Sequence, residues 1–263
     1  MKKIIEFQQH TPGKLELISP LAASSHVPFR DLILKLEYAE LKYALPKGTS
    51  TFRVLPAIKG TPQWMASIHA LAHANGRHAH PKTTQASASS VFDTAQAWLK
   101  QNQPEMLYSK LAPAGHKLWT SPLAACWILV GCAERPQLRI LLASSFAGAR
   151  QGAKPGLGHR LLELVRQNIH LLDANEGYQV RITRAYAAGN KFPETQLTVD
   201  RTTTTLNEFL GGLSSEEFRL VCPIGNTIRQ IDTEHEWALL AATIGQDTTA
   251  KIRAAAPPPP SIT

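Results

Sequence analysis

The 263-residue chain is poor in several things, and each shortage excludes a class of protein. It has three cysteines, Cys126, Cys132 and Cys222. Three thiols without an export signal do not make a disulfide scaffold, so they read as reduced and structural. No apolar run reaches the length of a membrane span. The opening MKKIIEFQQH has two lysines but no apolar core of the kind a signal peptide needs. A cytoplasmic protein with no membrane partner is therefore expected. There is no G-x-S-x-G turn, no G-x-x-x-x-G-K-[ST] loop and no carboxylate pair suited to hydrolysis. The chain does not read as an enzyme, and no cofactor is expected.

The most informative shortage is of acid. Charged residues are 18% of the chain and the formal net charge is +8, but the charge is uneven. Residues 41–92 hold six bases (Lys42, Lys47, Arg53, Lys59, Arg77, Lys82) and no acid. Residues 135–191 hold nine bases against three acids, and residues 194–247 reverse this with nine acids against three bases. Basic blocks of this kind concentrate a polyanion at the surface. Aromatics are interleaved with the cations: Phe52-Arg53, Trp64, Tyr108 near Lys110, Trp119 near Lys117, Tyr186 near Arg184, and Lys191-Phe192. Single strands of nucleic acid are held by that combination, cations along the backbone and rings under the bases. Trp127, Phe92 and Trp98 read instead as core.

Local patterns predict an α+β chain built on an OB-fold-like β-barrel, with helical insertions and long basic loops. Strands are expected at Thr49–Leu55, Gln63–Leu71, Cys126–Val130, Leu138–Leu142, Tyr178–Tyr186 and Gln196–Val199. Asn75-Gly76 predicts a hairpin. Helices are expected at 31–43, after the capping signal Ser90-x-x-Asp93, along the apolar stripe Leu157–Leu172, and after Ser214-x-x-Glu217. Gly156-Leu157-Gly158 could hold a phosphate at a helix start. The predicted organisation is an N-terminal arm and helix (1–44), a binding core (45–200, with a helical insertion near 88–120), an acidic region (201–253) and a polyproline tail (254–263).

His69, His73, His78 and His80 fall within twelve residues. Imidazole is the commonest zinc ligand, but no cysteine lies nearby to anchor a site. Histidines facing phosphate are the expectation, and a histidine-cluster metalloprotein is the alternative.

Several segments taken in order carry a resemblance. GTSTFRVLPA is followed by Trp64-Met65 and a histidine-bearing Asn-Gly hairpin. CWILV, LRILL and a basic glycine-rich loop come next, then LGHRLLELVRQ, EGYQVRITRAY and AAGNKFPETQLTV. This order, over roughly residues 45–200, resembles the single-stranded DNA-binding (helix-destabilising) proteins of T-even bacteriophages. The resemblance implies an OB-fold that coats and protects single-stranded DNA during replication, recombination or repair, with an RNA-binding barrel as the alternative. Phe52 and Arg53 match the family's first barrel strand. Gly158, His159 and Arg160 match its basic helix, Arg181 and Arg184 its late strand, and Lys191 and Phe192 its stacking loop. The family's zinc cysteines are absent: His80-Pro81-Lys82-Thr83 stands where C-P-x-C is found, so no metal is expected.

The predicted phosphate contacts are Lys59, Arg77, Lys82, Arg150, Lys154, Arg160, Arg181, Arg184 and Lys191. Arg53, His78, His80 and His159 are further site candidates. Trp64, Tyr186 and Phe192 are the predicted stacking residues, joined by Phe52 and Tyr108. The acidic C-terminal region is expected to meet replication or recombination proteins. Self-association on DNA is a further expectation.

Overall fold

The computed structural model describes residues 6–7, 42–59, 64–73, 76–83, 89–108, 118–131, 135–144, 155–186, 194–215, 221 and 232–256. The fold is α+β. The strands are β1 (Gly48–Val54), β2 (Met65–His73), β3 (Gly76–Ala79), β4 (Thr120–Val130), β5 (Gln137–Ser144), β6 (Gly177–Ala185) and β7 (Glu194–Thr204). The helices are α1 (Val91–Asn102), α2 (Glu105–Tyr108), α3 (Leu157–Gln167), α4 (Leu206–Gly211), α5 (Thr233–Ile244) and α6 (Gln246–Ala255).

The strands run in the order β3-β2-β4-β1-β6-β7, with β5 also on β4. The β1–β4, β1–β6, β2–β3, β4–β5 and β6–β7 pairs are all antiparallel. The expected barrel is not closed: the path ends at β3 on one side and β7 on the other, and no described strand joins those ends.

Chain contacts divide the molecule into two units. Of the described residues, the first holds 6–7, 42–59, 64–68, 122–131, 135–144, 155–186, 194–215 and 221. The second holds 69–73, 76–83, 89–108, 118–121 and 232–256.

In the first unit, β1 pairs Phe52 with Val130 of β4 and with Val180 of β6. The hairpin expected from CWILV and LRILL forms, pairing Val130 with Gln137 through to Leu123 with Ser144. Alternation sends Phe52, Val54, Cys126, Ile128, Val180 and Ile182 into one core with Leu161, Leu162 and Val165 of α3. Burial pushes the Cys126 thiol well above its usual range, which makes it inert packing. At Gly158 a Cβ would stand 2.7 Å from the Ala124 Cβ. Gly158 is buried for close helix–sheet packing.

Two helix expectations change. The stripe Leu157–Leu172 breaks at Asn168, whose backbone leaves helical geometry while its Nδ2 donates to the Leu164 carbonyl at 3.0 Å. A single 3₁₀ turn (Ile169–Leu172) follows and still buries Leu171 and Leu172. The helix expected to end at Tyr43 is not present at 42–43. Tyr43 N donates to the Ile140 carbonyl at 2.9 Å, its hydroxyl meets Ser50 Oγ at 2.9 Å, and its ring lies edge-on to Phe52. The rest of that segment and the Ser214-x-x-Glu217 helix beyond Ser215 lie outside the described residues.

In the second unit, β2 and β3 form the expected Asn-Gly hairpin, with His73 opposite Gly76. Helix α1 begins with the predicted capping box. Ser90 Oγ accepts from the backbone of Phe92 and Asp93, and Asp93 Oδ2 accepts from Ser90 N at 2.9 Å. Glu236 of α5 adds a carboxylate at the same helix start, accepting from Val91 N at 3.1 Å. Leu71, Phe92, Leu99, Leu107, Leu118, Leu240 and Ile252 make this unit's core. Helix α6 runs through Ala255, so the expected tail starts two residues later than Ala254. The prolines themselves lie outside the described residues.

Arg53 is the largest fully buried side chain among the described residues, at 0% exposure. Its guanidinium donates to the carbonyls of Leu171 and Asp173 and, at 3.0 Å, to that of Tyr178. A Cβ on Gly177 would overlap both Arg53 Nη2 and the Asp173 carbonyl. Gly177→Ala and Arg53→Lys are each expected to lower unfolding free energy by about 1–3 kcal/mol, the range for overpacking and for unmade charged hydrogen bonds. Urea denaturation checks this; an unchanged midpoint in both variants contradicts it.

Candidate nucleic-acid interface

The structure sorts the predicted site residues into three groups. The first is buried. Phe52 and Trp64 lie in the first unit's core and offer no ring face to a base. Arg53 fastens the backbone, as above. Burial lowers its pKa to about 10, with Asp173 acting against that shift, so it stays charged at neutral pH. His80 is also buried. Its Nε2 meets Asp93 Oδ2 at 2.7 Å and its Nδ1 accepts from Lys82 N at 3.0 Å. The ring is therefore oriented by both nitrogens and has none left for a phosphate. These four are corrections to the sequence reading. Each side chain had the right chemistry, but packing into the core or a buried bond turned it inward.

The second group is at the surface but already partnered. Arg181 Nη2 meets Asp200 Oδ2 at 2.7 Å across β6 and β7. Arg184 donates to the Leu45 carbonyl at 2.7 Å, and Arg160 to that of Thr195. Lys59 pairs with Glu6 at 2.6 Å. That contact raises the lysine's pKa and lowers the glutamate's. Lys82 Nζ stands 3.6 Å from Asp93 Oδ1. Burial alone would raise Asp93, but the bonds from His80 and Ser90 hold it below its usual value. Exposed pairs such as Lys59–Glu6 are worth little and exchange readily for a phosphate; the backbone-bound arginines do not.

The third group presents free surface. Tyr186, just past the end of β6, is 55% exposed. Lys47, just before β1, places its ammonium 6.0 Å from the centre of that ring. β1 and β6 are antiparallel, with Gly48 opposite Arg184, so the start of one and the end of the other coincide. The same edge carries Thr49, which meets Thr183 hydroxyl to hydroxyl at 3.1 Å. Lys47 was not among the predicted contacts. Its signal was its place in the acid-free stretch directly before a strand. Tyr108, at the end of α2 in the second unit, is 57% exposed.

His159 and Arg160 of α3 line a cleft of about 480 Å³ against Gln196 and Leu197 of β7. Arg77 and His78 stand in β3, and their side chains lie outside the described residues. Arg150, Lys154, Lys191 and Phe192 lie outside them as well. Among the described residues no three His, Cys, Asp or Glu side chains converge to hold a metal ion, and no helix is long and apolar enough to cross a membrane.

Four acids of the C-terminal stretch are engaged within the protein. Asp200 holds Arg181, Glu236 holds the α1 start, Asp232 caps α5 by accepting from His235 N at 2.7 Å, and Glu234 meets Arg253 at 2.6 Å. No known family model matches the chain, and no curated protein matches it.

Asp200 accepts from the Thr202 hydroxyl, the Thr202 N–H and Arg181, which together pull its pKa down to about 2. A carboxyl depressed on folding stabilises the fold above its ordinary value and loses that contribution as pH falls toward 2. A carbon-detected NMR titration is expected to place Asp200 near pH 2. A midpoint near 4 contradicts the assigned bonds.

Proposed function

We propose that the chain is a non-catalytic single-stranded DNA-binding protein that coats single strands with little sequence preference, in replication, recombination or repair. The observation that carries this reading is the exposed Tyr186 ring with Lys47 over it, at the open end of the β1–β6 pair. A base stacks on an aromatic face while a neighbouring cation meets its phosphate. Lys191 and Phe192 follow Tyr186 closely in sequence and extend the same chemistry, and Lys47 belongs to the acid-free stretch 41–92.

The resemblance to the T-even phage family supports the same ligand. On this reading the first unit is an OB-type sheet left open rather than closed into a barrel, and the buried His80–Asp93 bond stands where the family has metal.

The test is fluorescence anisotropy with labelled oligo-dT. Binding is expected to weaken with salt, with a log–log slope of about −0.7 per neutralised phosphate. Tyr186→Ala should cost about 1–3 kcal/mol, the range for one base–ring stack. Lys47→Ala should flatten the slope by about 0.7. Equal affinity for duplex and single strand, or binding that ignores salt, contradicts the reading.

A further inference from the structure

Three large hydrophobic side chains of the described residues are strongly exposed: Tyr186, Tyr108 and Trp119. Tyr186 is the ring of the interface above; the other two belong to the second unit. Tyr108 is 57% exposed and Trp119 is 50% exposed, although each follows a residue that is almost wholly buried. Leu107 and Leu118 are those neighbours, and both insert into the same hydrophobic core. One core therefore fixes the backbone at both points and presents both rings outward. The other tryptophans differ: Trp64 and Trp127 are buried, and Trp98 and Trp237 pack partly against the same core as Leu118.

The sequence that joins the two rings is basic, which favours a polyanion. The ten residues between them in sequence hold Lys110, His116 and Lys117 and no acid. Glu105 lies one helical turn before Tyr108 in α2, which sets a carboxylate beside that ring and leaves Trp119 as the better platform. Indole also has the largest π-face of the side chains, and stacking of a base needs nothing more specific than that face.

We propose that Tyr108 and Trp119 make a second contact surface for single-stranded nucleic acid, on the second unit, with Trp119 as its main stacking residue. This rests on the proposed function and extends it. Each unit then carries an aromatic contact of its own, and a strand long enough to meet both gains from both.

The experiment uses the full chain and oligo-dT, followed by anisotropy of the labelled strand and by tryptophan emission. Binding is expected to quench emission, because Trp119 is the most accessible indole. Trp119→Ala should weaken binding roughly 5- to 150-fold, the range for one stack, and remove most of the quench. Trp119→Phe, which keeps a ring, should bind close to the unaltered protein yet lose the same quench. Tyr186→Ala, saturated with oligo-dT, should retain it. If the unaltered protein binds with unchanged emission and Trp119→Ala binds equally well, the second surface is overturned while the proposed function stands. If the unaltered protein binds no oligo-dT, both are overturned.

Discussion

The first unit depends on one buried cation. Arg53 reaches from β1 to three backbone carbonyls around the turn that leads from α3 into β6. A buried charge is tolerated only where hydrogen bonds replace its water. Here the carbonyls of Leu171, Asp173 and Tyr178 do so, and Gly177 leaves the room. The strand that opens the unit is thereby fixed to the connection that closes its core. The register of β1 on β6 follows, and with it the meeting of Lys47 and Tyr186. The proposed binding edge is a consequence of a bond on the same two strands.

The cations divide by what they bond. Arg53, Arg160 and Arg184 all give guanidinium hydrogens to backbone carbonyls. Arginine suits this role because its fork of donors stays charged when partly buried. Lysines 47, 59 and 82 keep compact charges at the surface, and their contacts are with a ring, an exposed carboxylate and the half-buried Asp93. A polyanion displaces contacts of that second kind far more easily than the first. Three arginines of the basic blocks thus serve folding, while the lysines, and Arg181 on Asp200, keep their charge at the surface.

Much of the fold was legible in the sequence. TSTFRVL, CWILV, LRILL and the alternation in YQVRITRAY placed their strands, Asn75-Gly76 marked its hairpin, and Ser90-x-x-Asp93 marked α1. Local chemistry decides these features, so local patterns reveal them. The failures were not local. Alternation says which residues share a face, but not that the face of exposed Thr49 and half-buried Thr51 is covered at Arg53 by the 3₁₀ turn. Trp64 and Phe52 looked like platforms beside cations, and only tertiary packing shows that their faces are covered. Barrel closure was likewise invisible, because it depends on whether end strands meet. At the site, Tyr186 kept its expected exposure. Lys47 and Trp119 were named among the cations and aromatics but not chosen as contacts, because each sits at a strand's entrance, where pattern gives no sign of orientation.

Photo-crosslinking tests the central claim most directly. Oligo-dT carrying 5-iodouracil is irradiated with the full-length protein, and the attached peptides are identified by mass spectrometry. The account predicts attachment at Tyr186, lost in Tyr186→Ala and suppressed by excess unlabelled single strand but not by duplex. Attachment confined to peptides without Tyr186, or unaffected by single-stranded competitor, would contradict it.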